Sequence, residues 1–186
     1  MVKLNKIYTK TGDGGSAGLV DGSRVSKAGP RMTAIGEVDE ANAAIGVAIS
    51  AFDDCELRTR LLRIQNDLFD LGADVATPGE MEGALRIVES QVERLEAEID
   101  AMNAELAPLS SFILPSGPPA VSALHLARAI TRRAERAAVA LNETEALNPR
   151  LLSYLNRLSD FLFVAARYVA NSQGGDVLWQ PGATQT

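Results

Sequence analysis

The strongest constraint on the fold of this chain is a helical repeat of apolar residues between positions 85 and 106. The apolar side chains recur at alternating intervals of three and four residues, with charged residues between them. This spacing places them on one side of an α-helix, where they form a seam that faces a partner helix. The seam consists of Leu85, Val88, Val92, Leu95, Ile99, Met102 and Leu106.

Four further helices are predicted from apolar spacing and from residues that start or stop helices. Their predicted ranges are about 30–52, 54–75, from just after 115–119 to 141, and from the Asn148-Pro149 start to 171. Strand signals are nearly absent beyond the N-terminal segment. We therefore expect a single all-α domain over residues 1–186, with a five-helix bundle at 30–172. The tail at 173–186 is expected to fray unless Trp179 pins it down.

Composition and charge narrow the class of protein. The chain carries a net charge of −6 and has a pI near 4.9, whereas a general nucleic-acid surface needs a basic footprint. The single cysteine, Cys55, excludes an intrachain disulfide and favours a reducing compartment. No apolar run follows Met1, and no stretch approaches the ~18 apolar residues of a membrane span. We expect a cytoplasmic protein that binds neither nucleic acid nor a membrane.

The N-terminal segment before the first helix is rich in glycine, hydroxyl groups and cations. Glycines let backbone N–H groups turn toward an anion, hydroxyls add donors, and lysines add charge, so residues 1–28 suit a polyphosphate. The spacing is neither a P-loop nor a GxGxxG motif. A polar loop with glycines for turns is the alternative interpretation.

The fourth predicted helix carries a stripe of charged residues, most of them arginines. At ~100° per residue, four polar residues fall within an arc of roughly 100°. The stripe consists of Arg128, Arg132, Glu135 and Arg136, with Arg133 beside it, and the opposite side carries Ala123, Ile130, Ala134, Ala137 and Leu141. Arginine is suited to bidentate phosphate contacts, although the same pattern also suits a solvated face with Arg–Glu pairs.

Other polar and aromatic residues extend this candidate site. The fifth helix carries Asn156, Arg157, Ser159 and Asp160 within an apolar run, and the first helix carries Glu37, Asp39 and Glu40, which either pair with the arginines or are solvated. Phe112 lies in a loop, where it is either buried or faces a ligand. No Glu-x-x-His pair is present for a di-iron site, and the only histidine, His125, is interpreted as structural.

Taken together, these motifs resemble those of the PduO-type ATP:cob(I)alamin adenosyltransferases. The resemblance covers most of the chain and depends on six motifs in the right order. They are Ile7–Asp13, Arg24–Lys27, Val38–Glu40, Phe112–Gly117, Arg128 with Arg132–Arg136, and Tyr154–Asp160. The resemblance implies a five-helix bundle that assembles as a homotrimer with each active site between subunits.

The family pattern also implies roles for individual residues. ATP, with Mg²⁺, is expected to bind at Thr9, Lys10, Thr11, Gly12, Asp13, Ala17, Gly18, Lys27, Arg132, Arg133, Glu135, Arg136 and Asn156. Glu135 is the candidate ligand for Mg²⁺. Asp39 and Arg128 resemble an inter-subunit ion pair, and Phe112 resembles the residue that closes on the lower face of the corrin. Arg132, Phe112, Asp39 and Arg128 form the expected catalytic set.

Four positions depart from the family pattern. They are Ala17, Ile35, Ala41 and Pro118. The pattern more often has a hydroxyl residue, an aromatic residue, a leucine and a glycine there. We expect these departures to affect affinity more than activity.

The implied reaction is attack of cob(I)alamin on C5′ of ATP, which releases triphosphate and forms adenosylcobalamin. A cobalt(I) nucleophile needs no general base, so the lack of a candidate catalytic histidine is no objection. Expected partners are an electron-donating reductase and an enzyme that accepts adenosylcobalamin. The alternatives are a non-catalytic ATP- and cobalamin-binding sensor or chaperone on the same trimeric fold, and a purely structural helical oligomer.

Overall fold

The computed structural model describes residues 7–185 and has five long helices and one short hairpin. Residues 1–6 of the predicted nucleotide loop and residue 186 of the predicted tail lie outside the described residues. The helices are α1 (Pro30–Ile49), α2 (Glu56–Val75), α3 (Glu89–Asn103), α4 (Pro119–Asn142) and α5 (Pro149–Asn171). The strands are β1 (Ser16–Gly18) and β2 (Arg24–Ser26). The predicted five-helix bundle is confirmed, and most helix ends lie within three residues of the predicted ones.

The bundle is organised around α4, which packs between α1 and α5. Helices α1 and α4 pack against each other, and each carries several buried alanines, small side chains that let two helix backbones approach closely. The buried alanines are Ala34, Ala41, Ala44 and Ala48 on α1, and Ala127, Ala134 and Ala138 on α4. Helix α5 is buried along most of its length, with Tyr154 and Phe161 as its largest fully buried side chains.

A buried carboxylate joins three of the helices. Asp67 on α2 accepts hydrogen bonds from the Tyr154 hydroxyl on α5, at 2.7 Å, and from the Gln91 amide on α3, at 3.0 Å. Arg94 of α3 forms an ion pair with the same carboxylate. A carboxylate in a core needs such donors, so this network fixes how α2, α3 and α5 lie together.

The predicted helical seam begins too early. Leu85 and Val88 are 53 % and 51 % exposed and precede α3, which starts at Glu89. Asp74 at the end of α2 explains the difference, because it accepts hydrogen bonds from the Ile87 backbone N–H at 2.9 Å and from Arg86 at 2.7 Å. These bonds hold the segment in an irregular form, with Ile87 buried in place of its neighbours.

The hairpin within the N-terminal segment was not expected from the sequence. Strands β1 and β2 pair antiparallel, with Ala17 opposite Val25, and Gly22 adopts a φ of 83° in the connecting turn. The Val20 N–H donates to the Ala76 carbonyl oxygen at 3.1 Å, which attaches the hairpin to the end of α2. Strands of three residues are too short to show an alternating pattern.

Most charged side chains lie on the outer faces of the helices, and ion pairs link them between and within helices. Examples are Arg150–Glu89, at 2.6 Å, and Arg157–Glu96, at 2.9 Å. Within residues 7–185, no helix combines the length and the apolar character that crossing a membrane requires.

Candidate functional site

The N-terminal segment is folded around Arg24. Its guanidinium donates to the Thr11 carbonyl oxygen at 2.7 Å and to the Ser16 hydroxyl at 2.8 Å. The Lys27 N–H donates to the Gly15 carbonyl oxygen at 2.8 Å. Arg24 thus holds the loop before β1 against the hairpin. Arg24 belongs to one of the sequence motifs but had no predicted role, because its contacts with Thr11 and Ser16 depend on the folded loop.

The predicted nucleotide loop presents polar groups to solvent. The hydroxyls of Thr9 and Thr11 lie 2.9 Å apart, and Lys10 has a φ of 62°, an uncommon value for a residue with a side chain. A Cβ on Gly12 would come within 3.0 Å of the Lys27 Nζ, so the missing side chain leaves room for the ammonium group. No ion pair within the described chain involves Lys10 or Lys27. These two cations remain available to an anion.

The remaining predicted loop positions also lie on this surface. The N–H of Asp13 donates to the Lys10 carbonyl oxygen at 3.3 Å, which closes a turn before the hairpin. Ala17 and Gly18 lie in β1, opposite Val25 and Arg24.

No carboxylate of the described residues neutralises the three arginines of the stripe on α4. Arg132 and Arg136 are exposed, and the only hydrogen bond between them runs from the Arg136 guanidinium to the Arg132 carbonyl oxygen, at 3.0 Å. Arg128 is partly buried, and its Nε has no hydrogen-bond partner. Burial lowers the pKa of Arg128, and the positive charge of Arg132 lowers it further. An anion bound along this stripe would offset both unfavourable effects.

Arg133 is in a different environment from the neighbouring arginines. It forms ion pairs with Glu37 and Glu40 of α1. The expectation that α1 carboxylates pair with arginines of the fourth helix is thus confirmed for these two residues. Hydrogen bonds to Glu37 and then to Glu40 raise the pKa of Arg133. The guanidinium predicted to bind phosphate is thus already occupied by two carboxylates.

Asp39, on the same helix, has no ion pair within the described residues, and none joins it to Arg128. It borders a cavity of about 380 Å³ between α1 and α2. Apolar side chains, among them Ile35, Leu68 and Phe69, line most of this groove.

The structure brings together two residues that were predicted to bind the nucleotide. The Asn156 amide on α5 donates to the Glu135 carboxylate on α4 at 2.9 Å. The neighbouring Arg157 instead pairs with Glu96 and Asp160 on the outer surface. Across residues 7–185, no group of three histidine, cysteine or acidic side chains is arranged to hold a metal ion.

Phe112 is at the edge of a cavity rather than in the core. Its side chain is 76 % exposed, so the buried alternative is wrong. The cavity measures about 670 Å³ and is lined by Leu109, Ser110, Ser111, Phe112, Ile113, Arg128 and Phe163. The Arg128 guanidinium carbon lies 5.9 Å from the centre of the Phe163 ring, within cation–π range. Arg128 therefore connects the cavity to the arginine stripe.

Phe163 was missed by the sequence analysis because it lies in an apolar run of α5 where nothing distinguishes it from core residues. His125 lies next to it, with the two ring centres 6.5 Å apart. The histidine is 2 % exposed, and neither ring nitrogen has a hydrogen-bond partner. Burial lowers the pKa of His125, and the Arg128 charge lowers it further. His125 thus packs as a neutral ring behind the cavity lining.

The described part of the hairpin segment is not bonded to the arginine stripe of the same chain. The hairpin is attached to the end of α2, and no hydrogen bond or ion pair of the described residues joins positions 9–27 to Arg128–Arg136. The stripe and the Phe112 cavity, by contrast, are continuous through Arg128.

Comparisons with known proteins agree on one family. A family model described as cobalamin adenosyltransferase matches residues 7–169. A corrinoid adenosyltransferase of Mycobacterium bovis is 49 % identical over 191 residues, covering 100 % of this chain and 98 % of the relative. A corrinoid adenosyltransferase of Bacillus subtilis is 46 % identical and covers 96 % of this chain and 94 % of the relative.

A solved structure shows the same fold. It is a variant PduO-type ATP:corrinoid adenosyltransferase from Lactobacillus reuteri in complex with cobalamin and ATP. The sequences are 40 % identical, the TM-score is 0.89, and the match covers 94 % of this chain and 99 % of the other.

Proposed function

The chain belongs to the cobalamin adenosyltransferase family, and from this premise we propose how its residues divide the work of the reaction. It is an enzyme that transfers the adenosyl group of ATP to a corrinoid. The observation that carries the proposal is the continuity between an unneutralised arginine stripe and an aromatic cavity, with Arg128 at the junction. The corrinoid occupies the cavity, and the triphosphate of ATP lies along the stripe.

Arg132 and Arg136 bind the triphosphate. Negative charge grows on the leaving triphosphate as the cobalt attacks C5′, and cations fixed in advance stabilise that charge without reorganisation. Both arginines lack an acidic partner within the described chain, which leaves their donors free for phosphate oxygens. Arg133, held by Glu37 and Glu40, fixes the position of α4 against α1 instead.

Asn156 and Glu135 bind the nucleotide together at the α4–α5 boundary. The hydrogen bond between them holds the amide and the carboxylate in a fixed relative orientation. In nucleotide-binding enzymes, Mg²⁺ is commonly held by the substrate phosphates together with one or two carboxylates. Glu135 can supply one such carboxylate, and this mode of binding needs no cluster of three metal-ligating side chains. Bound Mg²⁺ would neutralise charge on the triphosphate.

The complete site forms between two chains of a homotrimer. Thr9–Asp13, Ala17, Gly18 and Lys27 of one chain lie opposite the stripe of the next chain, and the triphosphate binds between these two sets of cations. Lys10, Lys27, Arg132 and Arg136 form no ion pair among the described residues, so all four can contact the same anion. Asp39 and Arg128, neither of which has an ion-pair partner among residues 7–185, form an ion pair across the same boundary. A charge left unpaired in a subunit is stabilised when the neighbouring subunit supplies the opposite charge.

Phe112 excludes the lower axial ligand of the corrinoid. An axial ligand makes cobalt(II) hard to reduce, and each ~59 mV of potential changes a one-electron equilibrium tenfold. An apolar ring at the cavity edge removes that ligand and makes cobalt(I) accessible. Its exposure and its position in the cavity lining support this role.

Phe112→Ala tests this role. We expect the variant to bind ATP as the parent does but to form product slowly when cobalt(II) must be reduced on the enzyme. Leu85→Ala, an exposed apolar change outside the cavity, is the control. Equal turnover of the Phe112 variant and the parent would remove Phe112 from the mechanism.

The activity itself is tested with ATP, Mg²⁺ and chemically reduced cobalamin. We expect loss of the cob(I)alamin spectrum and the appearance of a cobalt–carbon bond. ATP binding without this product would favour the alternative, a sensor or chaperone on the same fold. Absence of ATP-dependent thermal stabilisation would favour a purely structural oligomer.

The cellular compartment and the partner enzymes are proposed from the chemistry of the reaction. The free, exposed Cys55 is compatible with the reducing cytoplasm. Cobalt(I) needs an electron donor, so a reductase is an expected partner. An adenosylcobalamin-dependent enzyme is the expected acceptor of the product.

A further inference from the structure

The Phe112 loop is one half of a short two-stranded ribbon. Its other half comes from the segment after α5. The Leu114 N–H donates to the Val177 carbonyl oxygen, and the Trp179 N–H donates to the Phe112 carbonyl oxygen, both at 2.8 Å. Ile113 and Leu178 form an antiparallel bridge between them. The tail thus does not fray here, and Trp179 pins it as the sequence suggested.

The side chains of the ribbon also meet. The rings of Phe112 and Trp179 lie 5.9 Å apart in an edge-to-face arrangement with an interplanar angle of 61°. The Ser111 hydroxyl donates to the Trp179 carbonyl oxygen at 3.0 Å. Trp179 is 44 % exposed and Phe112 is more exposed still. Because the two rings are in contact, Trp179 restrains one side of the Phe112 ring. The other side of that ring faces the cavity and solvent.

One buried arginine holds the base of this ribbon. Arg167 on α5 donates through Nε to the Asp176 carboxylate at 3.0 Å, and through Nη2 to the Ala107 carbonyl oxygen at 2.9 Å. The two side chains of the ion pair are only 9 % and 14 % exposed. Ala107 begins the segment that leads to Phe112, and Asp176 begins the opposing segment. A single guanidinium therefore clamps both halves to the rigid bundle.

We propose that residues 176–179 are a positioning element for Phe112, with Trp179, Asp176 and Arg167 as the positioning residues. The inference rests on the proposed role of Phe112 at the lower face of the corrinoid. An exposed loop phenylalanine samples several rotamers. Excluding an axial ligand requires the ring to stay in one place, and the ribbon supplies the missing restraint.

The test compares Trp179→Ala and Trp179→Phe in two assays. One assay supplies cob(I)alamin that is already chemically reduced. The other supplies cob(II)alamin with a reduced flavin as the one-electron donor. We expect Trp179→Ala to slow the second assay by about three- to tenfold, the scale of one lost ring pair. For Trp179→Ala, the rate in the first assay and the KM for ATP should stay near the parental values. For Trp179→Phe, the rate in the second assay should return to near the parental value.

Fluorescence provides a readout without turnover, because Trp179 is the only tryptophan of the chain. We expect Asp176→Asn to make Trp179 more accessible to acrylamide in the free enzyme. Phe112→Ala should change the Trp179 emission directly. Glu89→Gln removes a carboxylate from an ion pair with Arg150, away from the ribbon, and is the control.

The outcomes separate this inference from the proposed function. If Phe112→Ala leaves the cob(II)alamin assay at the parental rate, the role of Phe112 itself is wrong. If Phe112→Ala slows that assay but Trp179→Ala and Asp176→Asn do not, the positioning inference is overturned. It is also overturned if both assays slow in parallel, because a general loss of structure would then explain the effect.

Discussion

At the scale of single residues, Arg132, Arg133 and Arg136 differ by their partners rather than by their chemistry. One step of ~100° around α4 turns Arg133 toward Glu37 and Glu40, whereas Arg132 and Arg136 face solvent. The sequence placed Arg132 and Arg136 on the exposed side of α4, and both are exposed. Of the residues assigned to the opposite side, Ala134 and Leu141 are buried, whereas Ala123, Ile130 and Ala137 are only partly buried. The sequence could not single out Arg133, because the glutamates lie far away in the sequence and only tertiary packing decides which arginine they reach.

Arg132→Ala tests the stripe. We expect ATP to bind more weakly by about 2 kcal/mol or more, roughly 30-fold in Kd, since a phosphate loses its charged partner. Titration calorimetry with ATP measures the effect. Arg150→Ala, which removes an exposed arginine that pairs with Glu89, is the matched control. A parental Kd for the Arg132 variant would show that this arginine is only part of a solvated surface.

At the scale of secondary-structure elements, the sequence predicted what local spacing determines. Apolar periodicity and the Asn148-Pro149 start gave α5 to within a residue of its observed bounds. The hairpin and the Phe112 ribbon were missed because their strands are short and, for the ribbon, distant in sequence. The early start of the predicted third helix has a similar cause, because the contacts of Asp74 override local propensity.

The Asp67 network between α2, α3 and α5 gives a prediction about stability. Burial raises the pKa of Tyr154 well above 10.0, and the negative charge of Asp67 raises it further. Tyr154→Phe should lower the free energy of unfolding at pH 7 by about 1.5–3 kcal/mol, because a hydrogen bond to a carboxylate is lost. Urea denaturation measures this value, with Tyr168→Phe as a control for loss of a tyrosine hydroxyl.

The difference in the free energy of unfolding between the parent and Tyr154→Phe should depend on pH. Below pH 10 the Tyr154 hydroxyl is protonated in both folded and unfolded chains, so its contribution is complete. Above pH 10 the unfolded chain loses this proton first, which favours unfolding. The parent should therefore lose stability faster than Tyr154→Phe as the pH rises. A constant difference between the two proteins up to pH 11 would contradict this expectation.

At the scale of the whole molecule, the proposed site between subunits can be tested by mixing chains. Lys27→Ala damages the N-terminal segment, and Arg132→Ala damages the stripe. In a trimer assembled from equal amounts of both, a site has an intact segment half the time and an intact stripe half the time. About a quarter of the sites should then be intact.

Activity of co-refolded mixtures measures this recovery, and separately refolded variants that are mixed afterwards provide the control. Activity equal to the average of the two variants would place both groups of residues in one chain. That result would exclude the shared site while leaving the assignment of the family untouched.

The buried alanines of α1 and α4 restrict how the sequence of such an enzyme can change during evolution. Ala34, Ala41 and Ala48 are completely buried, as are Ala127, Ala134 and Ala138 on the arginine helix. A larger side chain at any of them would push the two helices apart and tilt the stripe away from its substrate. Natural variation should therefore be slowest at these methyl groups, which never touch ATP or the corrinoid, and faster at many charged positions outside.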